Sequence, residues 1–373
     1  MTRGRIVLAG AVAQRPGVGG HTWVYLQYLL GLRALGWEVL LLDSLPTDEA
    51  ATATYLVEVM ERFGLADAYS VLLEGTSDTV GRSRGEALEH VRDSAVLINV
   101  MGYLDDEELL GAAPMRAFLD IDPGFGQMWR ALGLADVYPG HDAFVTVGEN
   151  IGSPDCAIPT CGIDWITTPQ PVVLDQWAEG EGPGRAITSV SAWRGPYGPI
   201  EYEGRTYGLR VHEFRRFLDL PRRTGEEFEV ALDIHAAEGQ DIARLEECGW
   251  RLADPRAVAG TPEAYRDYVR GSAAELMIAK NMYVDTNSGW FSDRSICYLA
   301  AGRPVLAQDT GIRRRFPEGE GLLPFSDVDE ACARVEELKA DPARHRRAAR
   351  EIAEAHFSAD VVLPRLLAEL GVS

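Results

Sequence analysis

Three groups of residues in this chain combine reactive side chains with a spacing that local structure can use. His21 follows Gly19 and Gly20 where a glycine-rich connection runs into a helix. An imidazole that is neutral near pH 7 suits removal of a proton from a hydroxyl. The plainer alternative is a helix-start histidine bonded to backbone. Asp120 and Asp122 flank Ile121 at the end of an apolar run, just before Pro123-Gly124. Period-two alternation points both carboxylates the same way, and an acid leaving the C-terminal edge of a parallel strand faces the crevice where α/β proteins hold ligands. A turn aspartate before Pro-Gly competes for each. The third group lies in residues 287–311. Ser292 and Asp293 are placed to cap a helix, Arg294 stands in its first turn, and Gly302 suits its C-terminus. Free amides at that helix start, with the Ser292 hydroxyl and the Arg294 guanidinium, make a seat for a diphosphate. Gln308 and Asp309, leaving the short buried strand that follows, can hydrogen-bond hydroxyls. Shape alone also fits an ordinary αβ unit of a parallel sheet.

These groups need a scaffold, and the pattern supplies αβ units in succession. Residues 5–10 read as a buried strand, 22–35 as a helix stopped by Gly36, and 37–43 as a second strand. The glycine loop between them lacks the full Gly-x-Gly-x-x-Gly spacing and is long, which argues against a dinucleotide fingerprint. Helical spacing follows at 51–63, 86–91 and 105–110, alternating with strands at 69–73, 95–101, 115–121 and 144–147. Residues 152–184, rich in Pro, Gly and Thr, mark a boundary. A second series opens with a strand at 186–192 that ends in Trp193-Arg194-Gly195. That exit either stacks a base and reaches a phosphate or forms a solvated hairpin. Residues 197–207 read as a loop, 211–218 as a helix, 228–234 and 250–253 as strands, and Thr261-Pro262 as a capped helix start. Lys280 precedes the 287–311 stretch, as a phosphate contact or as a surface lysine. Residues 328–355 read as one charged helix, and 358–370 as a last amphipathic one.

The chain has 373 residues, enough for two domains with cores of their own. A formal net charge of -21 argues against nucleic acid or an anionic membrane as a general partner, while leaving room for a local basic pocket. All basic residues except Lys280 and Lys339 are arginine, which reads as the bias of a GC-rich genome. The five cysteines include no Cys-x-x-Cys pair, and the start reads as a strand rather than a signal peptide. A reduced cytoplasm is the expected compartment. No apolar run reaches the roughly 20 residues that span a bilayer.

Residues 287–311 resemble the donor-binding region of the GT-B glycosyltransferases, enzymes of two Rossmann-like domains. Inverting natural-product members carry a Gly-Trp-Asn-Ser turn, a helix, a Gly-x-Pro step into a strand, and an Asp-Gln pair that holds the sugar. The corresponding residues are Gly289-Trp290-Phe291-Ser292, Gly302-Arg303-Pro304 and Gln308-Asp309. Ser288 replaces the histidine that usually opens the motif, and Phe291 replaces the asparagine. The two glutamates of the retaining branch are absent, their positions being Gly289 and Cys297.

The resemblance implies an α/β fold of two Rossmann-like domains facing across a cleft, with a C-terminal helix crossing back. Residues 1–165 and 358–373 would bind the acceptor, 185–357 the nucleotide sugar, and 166–184 would link them. It also implies an inverting transfer. Gly19 and Gly20 would shape the acceptor loop, His21 would be the base, and Asp122 or Asp120 would orient the imidazole as a carboxylate does in a triad. The donor would contact Trp193, Arg194, Lys280, Ser288, Gly289, Trp290, Ser292, Arg294, Gln308 and Asp309. The expected partners are a nucleotide-diphosphate sugar and a small acceptor such as a secondary metabolite. Asp120 and Asp122 could instead hold a divalent metal, as an Asp-x-Asp pair does in the other large glycosyltransferase fold. Their distance in sequence from Ser292 argues against that, and no metal cofactor is expected. Two rivals share the fold: a nucleotide-sugar epimerase and a silent nucleotide-sugar binder.

Overall fold

The computed structural model describes residues 3–195 and 197–372. Among them, two separate sheets account for most strands. In spatial order the first contains Thr79–Gly81, Tyr69–Leu73, Glu38–Leu45, Arg5–Ala9, Ser94–Val100, Arg116–Asp120, Ala143–Thr146 and Trp165–Thr167. All its pairings are parallel except that of Thr79–Gly81 with Tyr69–Leu73. The second sheet runs Trp250–Ala253, Phe228–Asp233, Ile187–Ala192, Ala274–Met277, Val305–Gln308 and Leu322–Phe325, all parallel. In each the strand order reverses beside the first strand of the half, the switch point at which open α/β sheets leave a crevice.

Near-continuous apolar runs such as Ile6–Ala9 and Val96–Ile98 are fully buried because helices cover both faces. Helix Gly19–Ala34 buries a broad face that includes Trp23, Tyr25, Leu26 and Leu29. It begins three residues earlier than its pattern suggests. Gly19 lies so close to the second half that a Cβ there would fall 2.2 Å from the Thr261 carbonyl oxygen, and the Trp23 indole donates to the Pro262 carbonyl at 2.8 Å. The last helix, Ala359–Glu369, returns to the first half. A Cβ on Gly31 would meet Leu363 at 2.6 Å and Ala359 at 2.9 Å.

Several expectations change. Residues 197–207 carry an antiparallel hairpin, Ile200–Tyr202 with Arg205–Tyr207, instead of a plain loop. The long helix expected at 328–355 divides into Val328–Ala340 and Pro342–Ile352, because Asp341 caps the second and Pro342 cannot continue the first. Trp165–Thr167, within the Pro/Gly-rich stretch, pairs as a strand of the first sheet. Arg303 then pins the connection, donating to the carbonyls of Glu181, Gly182 and Arg270 from a fully buried position. No helix among the described residues is long and apolar enough to cross a membrane.

Candidate active site

A cavity of about 390 Å³ lies where the two switch points meet. Its first wall is the loop and helix start after Arg5–Ala9, with Pro16, Gly17, Val18, Gly20 and His21. The second wall comes from the other half: Val190, Ser191 and Ala192 at the tip of one strand, Asp233 at the tip of its neighbour, and Arg210, Tyr265, Asp293 and Arg294 from helices.

His21 sits in the first turns of helix Gly19–Ala34. Its Nε2 lies 3.0 Å from the Ala11 carbonyl oxygen. A carbonyl only accepts, so the ring proton belongs on Nε2 and Nδ1 keeps the lone pair. Burial, assisted by the charge of Arg15, lowers the imidazole pKa to about 4. His21 is therefore neutral throughout the physiological range. The loop that presents it is anchored by Asp43, buried in strand Glu38–Leu45, which accepts from the Ala13 amide at 2.7 Å and the Gln14 side chain at 3.2 Å. Burial raises the Asp43 pKa to about 7.

Neither expected carboxylate reaches His21, and this corrects the triad-like assignment. Asp120 is buried and accepts from Gln127 at 2.7 Å, Thr146 at 3.0 Å and the Asp122 amide at 3.1 Å. Asp122 pairs across the two halves with Lys280, at 2.8 and 2.9 Å, and accepts from the Tyr283 hydroxyl. The strand ends at Asp120, so Asp122 belongs to the turn and alternation no longer governs its direction. Lys280 in turn is no surface lysine and no free phosphate ligand. Its ammonium is buried between Asp122 and the rings of Phe125, Tyr283 and Tyr197.

The cationic wall is built differently from the pattern's suggestion. Helix Asp293–Ala300 forms as expected. Ser292 caps it by accepting from the Arg294 amide at 3.2 Å, and Gly302 follows its end at φ +65°. Arg294 lines the cavity, but its guanidinium is already committed to the buried Glu275 carboxylate and to the Val190 carbonyl at 2.9 Å. Burial opposes its charge, and the Glu275 carboxylate more than offsets this, so its pKa is raised. The residue that sequence reasoning missed is Arg210. It opens helix Arg210–Arg216, donates to Ser191 Oγ at 2.6 Å, and leaves Nε buried without a partner. It has no ion-pair partner among the described residues. Burial, then the charge of Arg294, lowers its pKa to about 10, so it remains cationic. Its position gave a signal: it opens the helix after the first strand of its half, as His21 does near the start of its own.

Most of the remaining expected donor contacts serve the scaffold. Trp193 is buried, packed on Phe214, and donates to Asp241 at 3.0 Å, so its face is not free for a base. Arg194 pairs with Glu238. Gln308 is fully buried, accepting from the Ala279 amide and donating to Glu213, and cannot reach a sugar. Asp309 closes its own turn by accepting from the Gly311 and Ile312 amides at 2.9 and 3.1 Å, and pairs with Arg313. Ser288, Gly289 and Trp290 lie at the seam between halves. The Asn150 amide donates to the Ser288 carbonyl at 3.0 Å, a Cβ on Gly289 would fall 2.8 Å from Asn150, and Trp290 stacks on Tyr283 at 4.2 Å. Of the expected residues, Gly20, His21 and Arg294 reach the cavity, with the Ser292 cap directly behind Arg294. Gly19 supports the adjoining contact between halves.

A family model described as "Glycosyl transferase-like" matches residues 215–368. No curated protein matches in sequence. HepE from Anabaena in complex with UDP-glucose has a TM-score of 0.59 at 11% identity, over 99% of both chains. Its complex with UDP gives 0.57 at 12% identity, over 98% of this chain and 99% of HepE. A glycosyltransferase from Rickettsia africae gives 0.51 at 11% identity, over 98% of this chain and 97% of its own. The fold is that of the GT-B glycosyltransferases: two Rossmann-like domains set face to face. The glycosyltransferase-like segment covers most of the second half and nearly all of the helix that returns to the first.

Proposed function

We propose that this protein transfers a sugar from a nucleotide-diphosphate sugar to a hydroxyl of a small acceptor, with inversion at the anomeric carbon. The observation that carries the reading is one cavity that collects His21 from the first domain and Arg210, Arg294 and a helix start from the second. We assign the acceptor to residues 1–165 and 358–373, and the donor to residues 185–357. His21 Nδ1 takes the proton of the acceptor hydroxyl as its oxygen bonds to the anomeric carbon. The bond from that carbon to the diphosphate oxygen breaks in the same displacement. Arg210 and Arg294 stabilise the negative charge that develops on the leaving group.

Ala11, not a carboxylate, fixes the imidazole tautomer. A carbonyl partner supports a base that works neutral and hands its proton to solvent after each turnover. The secondary-metabolite character of the acceptor rests on the resemblance of the motif region and on the arginine-rich composition. With two guanidinium groups at the diphosphate seat, the chemistry has its positive charge without a metal, and transfer is expected to persist after exhaustive chelation. The test is incubation with a panel of nucleotide sugars, following release of nucleoside diphosphate by wild type and by His21→Ala. Release that depends on His21 supports the proposal. An isomerised sugar nucleotide would point to an epimerase, and binding without release of any kind would point to a silent binder.

A further inference from the structure

Asp122 and Lys280 are 158 residues apart and belong to different halves of the molecule, yet they form a buried ion pair. The Lys280 ammonium donates to both carboxylate oxygens, at 2.8 and 2.9 Å, and to the Tyr283 hydroxyl at 3.2 Å, while Tyr283 donates to Asp122. Each partner stands on a braced turn. The Asp122 amide donates to Asp120 at 3.1 Å, and Asp120 is itself held by Gln127 and Thr146. Lys280 follows the tip of strand Ala274–Met277, where the Ala279 amide donates to Gln308 at 3.0 Å. Asp120 and Gln308, which reach no ligand, thus brace the two sides of one contact.

That contact adjoins the cationic wall. The Asp122 charge supports the cationic form of Arg210, and Arg210 opposes the charge of Lys280. A buried ion pair adds little net stability over an apolar contact of the same volume. What it adds is direction, since two charge-assisted hydrogen bonds fix the geometry of the groups that share them. Direction matters where the reacting groups come from both halves. A misplacement of about 1 Å far from the chemistry can cost about 10²-fold in rate.

We propose that Asp122 and Lys280 are positioning residues: their ion pair sets the register of the two domains and so places His21 against a donor held by Arg210. This rests on the transfer reading above and deepens it. The test compares wild type with Lys280→Met, Asp122→Asn and the double variant Asp122→Leu/Lys280→Met. Stability is followed by denaturant titration, nucleotide binding by calorimetry with UDP and GDP, and kcat with the nucleotide sugar that wild type turns over fastest. Each folded variant is expected to lose roughly 10²-fold in kcat and to bind nucleotide as wild type does. The double variant leaves no charge unpaired, so its stability is expected to return to that of wild type while its kcat stays low. That split separates positioning from stability, and the double variant decides if either single variant fails to fold. A wild-type kcat in the double variant overturns the proposal, as does a loss of nucleotide affinity that accounts for the loss of rate. If wild type turns over no nucleotide sugar, the transfer reading falls instead. Small-angle scattering then decides the role of the pair: a larger radius of gyration in the double variant supports the clasp between domains, and an unchanged profile overturns it.

Discussion

Around its first strand each half places its parallel strands in the same order, yet the chain leaves that strand in a different way in each. In the first half a glycine-rich loop, anchored by Asp43, delivers His21 into the start of helix Gly19–Ala34. In the second half the hairpin of Ile200–Tyr202 and Arg205–Tyr207 intervenes, and Arg210 opens the next helix. Both residues stand at the switch point of their own sheet and line one cavity. Burial acts on both and has opposite consequences. It holds His21 neutral, with a pKa of about 4, while Arg210 falls only to about 10 and stays charged. A repeated topology thus supplies two facing walls, and the residue type at one position decides whether a wall accepts protons or holds anions.

The strongest way to break this contrast is at His21. His21→Ala is expected to lower kcat by roughly 10²- to 10⁴-fold and to leave nucleotide affinity unchanged, as steady-state kinetics and calorimetry can show. The same residue sets the pH behaviour. A base works when neutral, and the folded pKa is depressed, so the limb of kcat/KM that belongs to His21 should appear only as pH approaches about 4. Asp43, which anchors the loop, titrates near 7, so an acid limb near pH 6.5 that persists in Asp43→Asn would assign proton transfer elsewhere.

Next in size is the cost of dismantling the buried pair behind the cationic wall. Arg294→Ala leaves the Glu275 carboxylate buried and unpaired, and should destabilise the fold by about 3–5 kcal/mol in denaturant titrations. Replacing both partners with leucine is expected to recover most of that loss. If Arg294→Ala melts like wild type, the Arg294–Glu275 pair is not structural.

The seam between domains offers the smallest effect. Gly289→Ala forces a side chain into φ +72° and against Asn150, at a cost of about 1–3 kcal/mol. Stability should fall while nucleotide affinity stays within about twofold. A larger loss of affinity would return this turn to the donor site.

Much of the scaffold was legible because its signals are local. Thr261 before Pro262, Ser292 before Asp293 and Gly302 after the helix are caps, and caps depend on neighbours in sequence. The cavity side of Gly20-His21 was readable from a loop running into a helix. Side-chain partners were not. Lys280 finds Asp122, and Gln308 finds Glu213, across long stretches of chain, so residues that look like ligands of a substrate are ligands of the fold. Arg210 was hidden for the complementary reason. A hairpin separates it from its strand, so only its place at the start of the next helix sets it apart from the many other arginines.

The division between the two walls is tested most directly by calorimetry of one nucleoside diphosphate, the tightest binder of a small panel, against wild type, His21→Ala and Arg210→Ala. Arg210 has no ion-pair partner among the described residues, so its loss leaves no buried counter-charge behind and the fold is expected to persist. Arg210→Ala should weaken binding by about 1.5–3 kcal/mol, while His21→Ala binds as wild type does. Equal weakening in both variants, or unchanged affinity in Arg210→Ala, would contradict the assignment of the diphosphate to the second domain.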